Sequence, residues 1–166
     1  FRVPLSARRY PEQAQRVAFI DRLIERVQNL PGVTAVGATS ALPFIGYNSS
    51  GIFNIEGRDT PPGAASPHAD IRKVTHGFFG AIGIPLRRGR LFAETDTAAA
   101  PFVALVDEKL AQQYWPGEDP IGKRIRFTQR GLPAGSNTDR WRTVIGVVPL
   151  IKQASSLDGY VNSVVY

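Results

Sequence analysis

Cysteine and methionine are both absent from this 166-residue chain, and histidine occurs only twice. The lack of cysteine excludes disulfides, thiolate metal sites and cysteine nucleophiles. His68 and His76 stand eight residues apart, one in a proline-rich stretch and one at the start of a short predicted helix, without HExxH spacing. They read as capping or solvent-facing groups rather than metal ligands. Long hydrophobic runs are missing as well. No window approaches the roughly 20 apolar residues needed to cross a bilayer, and the most apolar run, Val144 to Ile151, is interrupted by Gly146 and Pro149. With no methionine, signal peptide or basic leader, the chain is expected to be a piece of a longer protein. Runs of five or six like charges are also lacking. The net charge of +6 therefore comes from dispersed arginine, which keeps a surface solvated and favours anionic surfaces or acidic partners.

What is present is an ordinary globular composition, 43% hydrophobic and 20% charged, long enough to bury a core and to divide into two lobes. Tyr10-Pro11-Glu12 opens a helix in which Val17, Ile20, Ile24 and Val27 recur at three- and four-residue steps, with Leu23 and Leu30 widening the stripe. The spacing predicts a core-packing face, closed by Pro31-Gly32. Strands are expected near Phe1 to Leu5, at Val33 to Thr39, Ile52 to Glu56, Ala69 to Val74 and Ile84 to Phe92. A short helix is expected at His76 to Ile82, ended by Gly83. The order strand, helix, strand, strand, helix, strand matches a split βαβ, ferredoxin-like half.

The best-specified stretch runs from Val103 to Phe127. Val103 to Val106 is a short apolar strand, and Asp107 follows where its carboxylate can cap a helix beginning at Glu108. Leu110, Ala111 and Tyr114 share one helical face, and Pro116-Gly117 stops the helix. Lys123, Ile125 and Phe127 then alternate with Arg124 and Arg126 as a half-buried strand. Gln129 to Arg140 reads as a loop, Arg142 to Val148 as a strand and Ser163 to Tyr166 as a last edge strand.

The residue patterns support no catalytic, cofactor-binding or metal-ligating constellation. The acidic pairs Glu94/Asp96, Asp107/Glu108 and Glu118/Asp119 fall at turns and helix starts, where carboxylates act as caps. Ser40 lacks the GxSxG elbow, and neither GxGxxG nor GxxxxGK[ST] occurs. Two basic groups remain, Arg87/Arg88/Arg90 and Lys123/Arg124/Arg126, with aromatics nearby in sequence. A basic module binding nucleic acid or an anionic surface, and a hydrolase built on an acidic pair, stand as the alternatives to a non-catalytic domain.

The words LVDEKLAQQYWPGEDPIGKRIRF (105–127), GIPLRRGRLFAETDT (83–97) and WRTVIGVV (141–148), with LPGVTAVGATSALP (30–43) and FNIEGR (53–58), resemble the extracytoplasmic core domain of MacB/FtsX-type ABC-transporter permeases, nearest to their duplicated orphan permeases. The chain departs from that pattern from Pro149 onward. The resemblance implies an α+β fold with a porter-like split βαβ lobe at 1–100, a smaller strand-rich, sabre-like lobe at 101–148, and a return segment towards the membrane at 149–166. It implies a non-catalytic periplasmic role without a cofactor, coupled to a cytoplasmic ATPase domain or subunit, and working against a second permease copy or half. A periplasmic adaptor is among the implied partners, and nucleic acid is not. The motif residues it carries over are structural: Pro31, Gly32, Gly83, Gly89, Pro116, Gly117, Gly122 and Gly146 for turns and close packing, and Trp115 as a plug between elements.

Overall fold

The computed structural model describes residues 2–6, 8–42, 49–61, 63–128, 140–151 and 162–166. Its elements are α1 (Gln13–Gln28), β1 (Ser49–Ile55), β2 (His68–Ile71), α2 (Phe78–Ala81), β3 (Arg88–Gly89), β4 (Val103–Asp107), α3 (Glu108–Tyr114), β5 (Arg124–Thr128), β6 (Arg142–Val148) and β7 (Val164–Val165). The strands form one mixed sheet in the order β3-β6-β4-β7-β2-β1-β5, and β5 also pairs with β6. The fold is α+β. Strands from 1–100 and from 101–148 join in this one sheet: β1 is antiparallel to β5, and β3 is antiparallel to β6.

Period-two alternation sets the two faces. In β5, Ile125 and Phe127 are buried while Arg124, Arg126 and Thr128 are half-buried, as the sequence alternation requires. One face gathers Phe53, Ile55, Val106, Leu110, Trp115, Ile125, Phe127 and Val165. The other gathers Phe78 and Phe79 of α2 with Leu105, Val148, Val164 and Tyr166. Phe79 meets Phe78 and Tyr166 edge-on, with ring centroids 5.3 and 5.0 Å apart, an arrangement favoured by the ring quadrupoles.

Several expected elements differ from the structure. Residues 2–5 form no strand, and 33–39 contributes only the single bridge Thr39 to Val74. The strand expected over Ile84 to Phe92 shrinks to Arg88–Gly89. Apolar alternation makes a segment extended, but a ladder also needs a neighbouring backbone in register. The expected loop at 129–139 and most of the segment at 155–162 lie outside the described residues. The last strand is no edge: β7 sits between β2, to which it is parallel, and β4, to which it is antiparallel. Both its valines are buried, one on each face, which suits a central position.

The largest correction concerns α1. Its amphipathic period forms the helix, but none of its residues is buried, and Val17 and Leu30 are 52% and 55% exposed. Tyr10 packs on Phe19 with ring centroids 5.2 Å apart, and Arg16 donates to the Tyr10 carbonyl at 2.7 Å. Those contacts hold the helix start; the periodicity states which residues share a face, not what covers it. Val17→Lys is accordingly expected to change unfolding free energy by less than about 0.5 kcal/mol. Chemical denaturation measures this, and a loss of about 2 kcal/mol would restore Val17 to a core.

Candidate functional site

The seam where the earlier and later strands meet brings backbones into close approach at two glycines. At its first crossing, β3 meets β6 through Arg88 opposite Val147 and Gly89 opposite Gly146. The β4–β6 register slips at this point, Ala104 facing Val144 but Leu105 facing Gly146. The slip turns the Ile145 carbonyl towards β3, where it accepts from Arg90 N–H at 2.9 Å. A Cβ on Gly146 would overlap the Arg90 carbonyl and Leu105; one on Gly89 would overlap the Ile145 carbonyl and sit 2.8 Å from Ile121 Cδ1. Gly89 also has φ +75°, a left-handed conformation that costs side chains little only when there is none. A third close approach joins Gly37 to the backbone of Phe78, and Gly77 to the Val36 carbonyl; the run of small residues at 33–39 signals it.

The second crossing is β7. On the β2 side, the Ser163 carbonyl accepts from Asp70 N–H (2.8 Å) and the Val165 carbonyl accepts from Arg72 N–H (2.9 Å). On the β4 side, Leu105 and Tyr166 exchange both backbone bonds at 3.1 and 2.9 Å. The ladder then runs out, because β4 turns into α3 after Asp107. The Val164 N–H finds the Asp107 carboxylate instead, at Oδ2. The other oxygen, Oδ1, accepts from Leu110 N–H at 2.7 Å and so caps α3. Asp107 has no exposed surface. Burial pushes its carboxyl up to about 6, against the pull of the backbone N–H donors from Leu110 and Val164 and of the Lys109 charge. Sequence reasoning finds the cap, which is three residues away, and misses the bond to β7, which is 57 residues away.

Trp115 closes the far end of α3 and is 2% exposed, among Tyr114, Leu110 and the residues of the first core face. Its indole N–H has no hydrogen-bond partner among the described residues. Arg58, from the turn after β1, donates to the Tyr114 carbonyl and, at 2.6 Å, to Glu118 Oε1. A guanidinium thus satisfies the negative end of α3 from across the seam. It also forms one wall of an open cleft of about 320 Å³ lined by Pro61, Ala64, Pro67 and Tyr114.

The remaining predicted motif residues mark turns. Gly32 (φ +83°) follows α1, Gly83 (φ +68°) follows α2, and Gly117 (φ +75°) and Gly122 (φ +84°) flank the turn between α3 and β5; a Cβ on any of these four would touch nothing. Pro31 and Pro116 are exposed. The structure brings together Gly89 and Gly146, places Trp115 in the core, and leaves the others apart.

The basic groups are largely partnered. Arg87 faces Glu108 at 3.4 Å, Arg88 faces Asp119 at 3.5 Å, and Arg90 holds Asp96 through two bonds of 2.7 and 2.8 Å. The Arg90 bond keeps the Asp96 carboxyl below the usual carboxylate range. Lys123 and Arg124 meet Glu118 and Glu56, each at 2.7 Å, and Arg126 stacks on Trp141 with its guanidinium carbon 4.8 Å from the ring centroid. The acidic pairs are therefore engaged in capping and ion pairing. Pairs this exposed add little to stability in water, but several of them tie one side of the seam to the other.

Among the described residues, no helix is long and apolar enough to cross a membrane. Comparison with known proteins identifies this arrangement. The MacB-like periplasmic core domain matches residues 4–166. Macrolide export ATP-binding/permease proteins MacB of Neisseria gonorrhoeae and Neisseria meningitidis are 32% identical over 80 residues. That region is 48% of this chain and 11% of theirs, so the match spans about a tenth of the length of these relatives. In fold, the chain is similar to the periplasmic region of MacB from Actinobacillus actinomycetemcomitans (TM-score 0.54, 20% identity, 86% of this chain and 60% of that one). It is likewise similar to the extracellular domain of the ABC-type transporter YknZ from Gram-positive bacteria (TM-score 0.55, 16% identity, 88% and 60%). The α+β fold is shared with these two solved domains, and the match of the domain model over nearly the whole chain shows that this chain belongs to the MacB-like periplasmic core domain family.

Proposed function

We propose that this domain stands on the extracytoplasmic face of the bacterial inner membrane as the non-catalytic part of an ABC-type permease. There it converts motion driven by a cytoplasmic ATPase domain or subunit into opening and closing against a second permease copy or half. The observation that carries this reading is the seam. Strands from both sides of residue 100 are hydrogen-bonded into one sheet through β1–β5, β2–β7 and β3–β6. A displacement applied to either part is thereby passed to the other instead of being lost in a linker. Residues 1–100 act as the porter-like part, 101–148 as the sabre-like part, and 149–166 as the return segment, which contributes the strand wedged between them. The carboxylates that a hydrolase would need are engaged in caps and ion pairs, which supports a mechanical role.

The test uses the whole permease that carries this domain, reconstituted in nanodiscs with its ATPase. This segment has no cysteine of its own, so a spin label at Ala99→Cys, with any cysteine elsewhere removed, reports the distance between two copies. The distribution is expected to differ between nucleotide-free and ATP-bound states. Identical distributions through the cycle would refute the coupling role.

A further inference from the structure

We propose that Asp107 is a proton-responsive latch that sets how tightly the terminal strand β7 is held between β2 and β4. Three features of the geometry carry this. The carboxylate has no exposed surface, so an ionised Asp107 is a charge cut off from water. One of its oxygens stands in for the backbone carbonyl that β4 can no longer offer, accepting the Val164 N–H, while the other caps α3. And β7 is only two residues long, so this one bond is a sizeable share of what holds it on the β4 side.

The charged and titratable groups around the latch come from every element packed on it. β2 supplies buried Asp70, and buried Arg72 follows it; Tyr166 follows β7; Lys109 and Glu108 come from α3. Burial pushes the Tyr166 hydroxyl well up, with the Arg72 charge pulling down and the Asp107 charge adding to the rise, so Tyr166 stays neutral. Burial also lowers the Arg72 guanidinium, from a value far above neutral. Asp107 is thus the group of this cluster pushed into the range of ordinary environmental pH.

The direction of the response follows by linkage. Burial in the docked state raises the Asp107 carboxyl from the ordinary value of 3.8 to about 6, against the pull of the Val164 N–H, and the share of that burial supplied by β7 is lost when β7 undocks. The docked state therefore binds more protons between those values, and acidification favours docking. Above pH 6 the carboxylate is ionised whether β7 is docked or not. The buried charge then disfavours docking, although two N–H groups point at it.

Amide hydrogen exchange of Val164, Val165 and Tyr166, corrected for intrinsic exchange, tests the latch on this chain. Protection is expected to rise by up to about tenfold from pH 7.5 to 5, and to stay flat in Asp107→Asn, which keeps one acceptor and cannot ionise. Equal pH profiles in the two proteins would overturn the proposal. So would protection that is constant, or that falls on acidification, because the N–H bonds would then outweigh the buried charge. If Asp107→Asn does not fold, the side-chain carboxyl resonance of Asp107 in the unsubstituted chain decides. It is expected to titrate together with the β7 amides at one midpoint, and separate midpoints would sink the latch. The device concerns this chain alone and stands or falls independently of the coupling role.

Discussion

Replacing Gly89 with alanine is expected to cost roughly 2–6 kcal/mol of unfolding free energy, the largest effect of any single methyl group in the described residues. Two costs combine there. A side chain in the left-handed region costs about 1–3 kcal/mol, and forcing extra volume into a filled site costs about 1–3 kcal/mol more. The site is filled by backbone, the Ile145 carbonyl and Gly146, which cannot rotate away as a side-chain tip can. Two other glycines separate the terms. Gly117 has the same φ of +75° but nothing near its missing Cβ, so Gly117→Ala is expected to show the conformational cost alone. Gly80, inside α2, has open space and no left-handed φ, so alanine there is expected to be neutral or to stabilise by up to about 1 kcal/mol. Urea unfolding of the three variants should rank them Gly89→Ala, Gly117→Ala, Gly80→Ala from most to least destabilised. If Gly89→Ala matches Gly117→Ala, the β3–β6 crossing has room that the close approach denies.

The second large effect is at Trp115. Truncation to alanine removes the biggest side chain of the first core face and is expected to cost about 3–5 kcal/mol. Phenylalanine is the informative companion. The indole N–H is buried with no partner among the described residues, so removing it leaves no broken hydrogen bond. The loss in Trp115→Phe is then one of volume alone, expected below about 1.5 kcal/mol. Urea midpoints at unchanged slope would measure both. A Trp115→Phe loss as large as that of Trp115→Ala would mean that the N–H does hold a partner, such as an ordered water.

Both predictions sit on the seam, and the seam shows how far the sequence can be read. The unit from Val103 to Phe127 was legible almost residue by residue: strand, Asp107 cap, helix face, Pro-Gly stop and alternating strand all stand as the pattern implies. Each of those features is decided within a few residues, by capping bonds, side-chain direction and turn conformation. The family was legible for a related reason, since its words are the turns and caps of these local units. The α1 stripe was half legible. Its period made a helix from Gln13 to Gln28, yet no residue of it is buried, because coverage depends on what the rest of the molecule brings to that face.

The position of β7 was not legible at all. Val164-Val165 could pair anywhere that offers an edge on either side, and only the assembled sheet leaves room for one short strand between β2 and β4. The same holds for the second bond of Asp107 and for the Gly89–Gly146 crossing, whose partners lie 57 residues apart in both cases. Local chemistry thus determined, from the sequence alone, which segments become helices and turns, where they stop and to which family the chain belongs. The tertiary structure decided which extended segments find partners, which apolar face is covered and which carboxylate is cut off from water, because each of these is set by where distant backbone ends up.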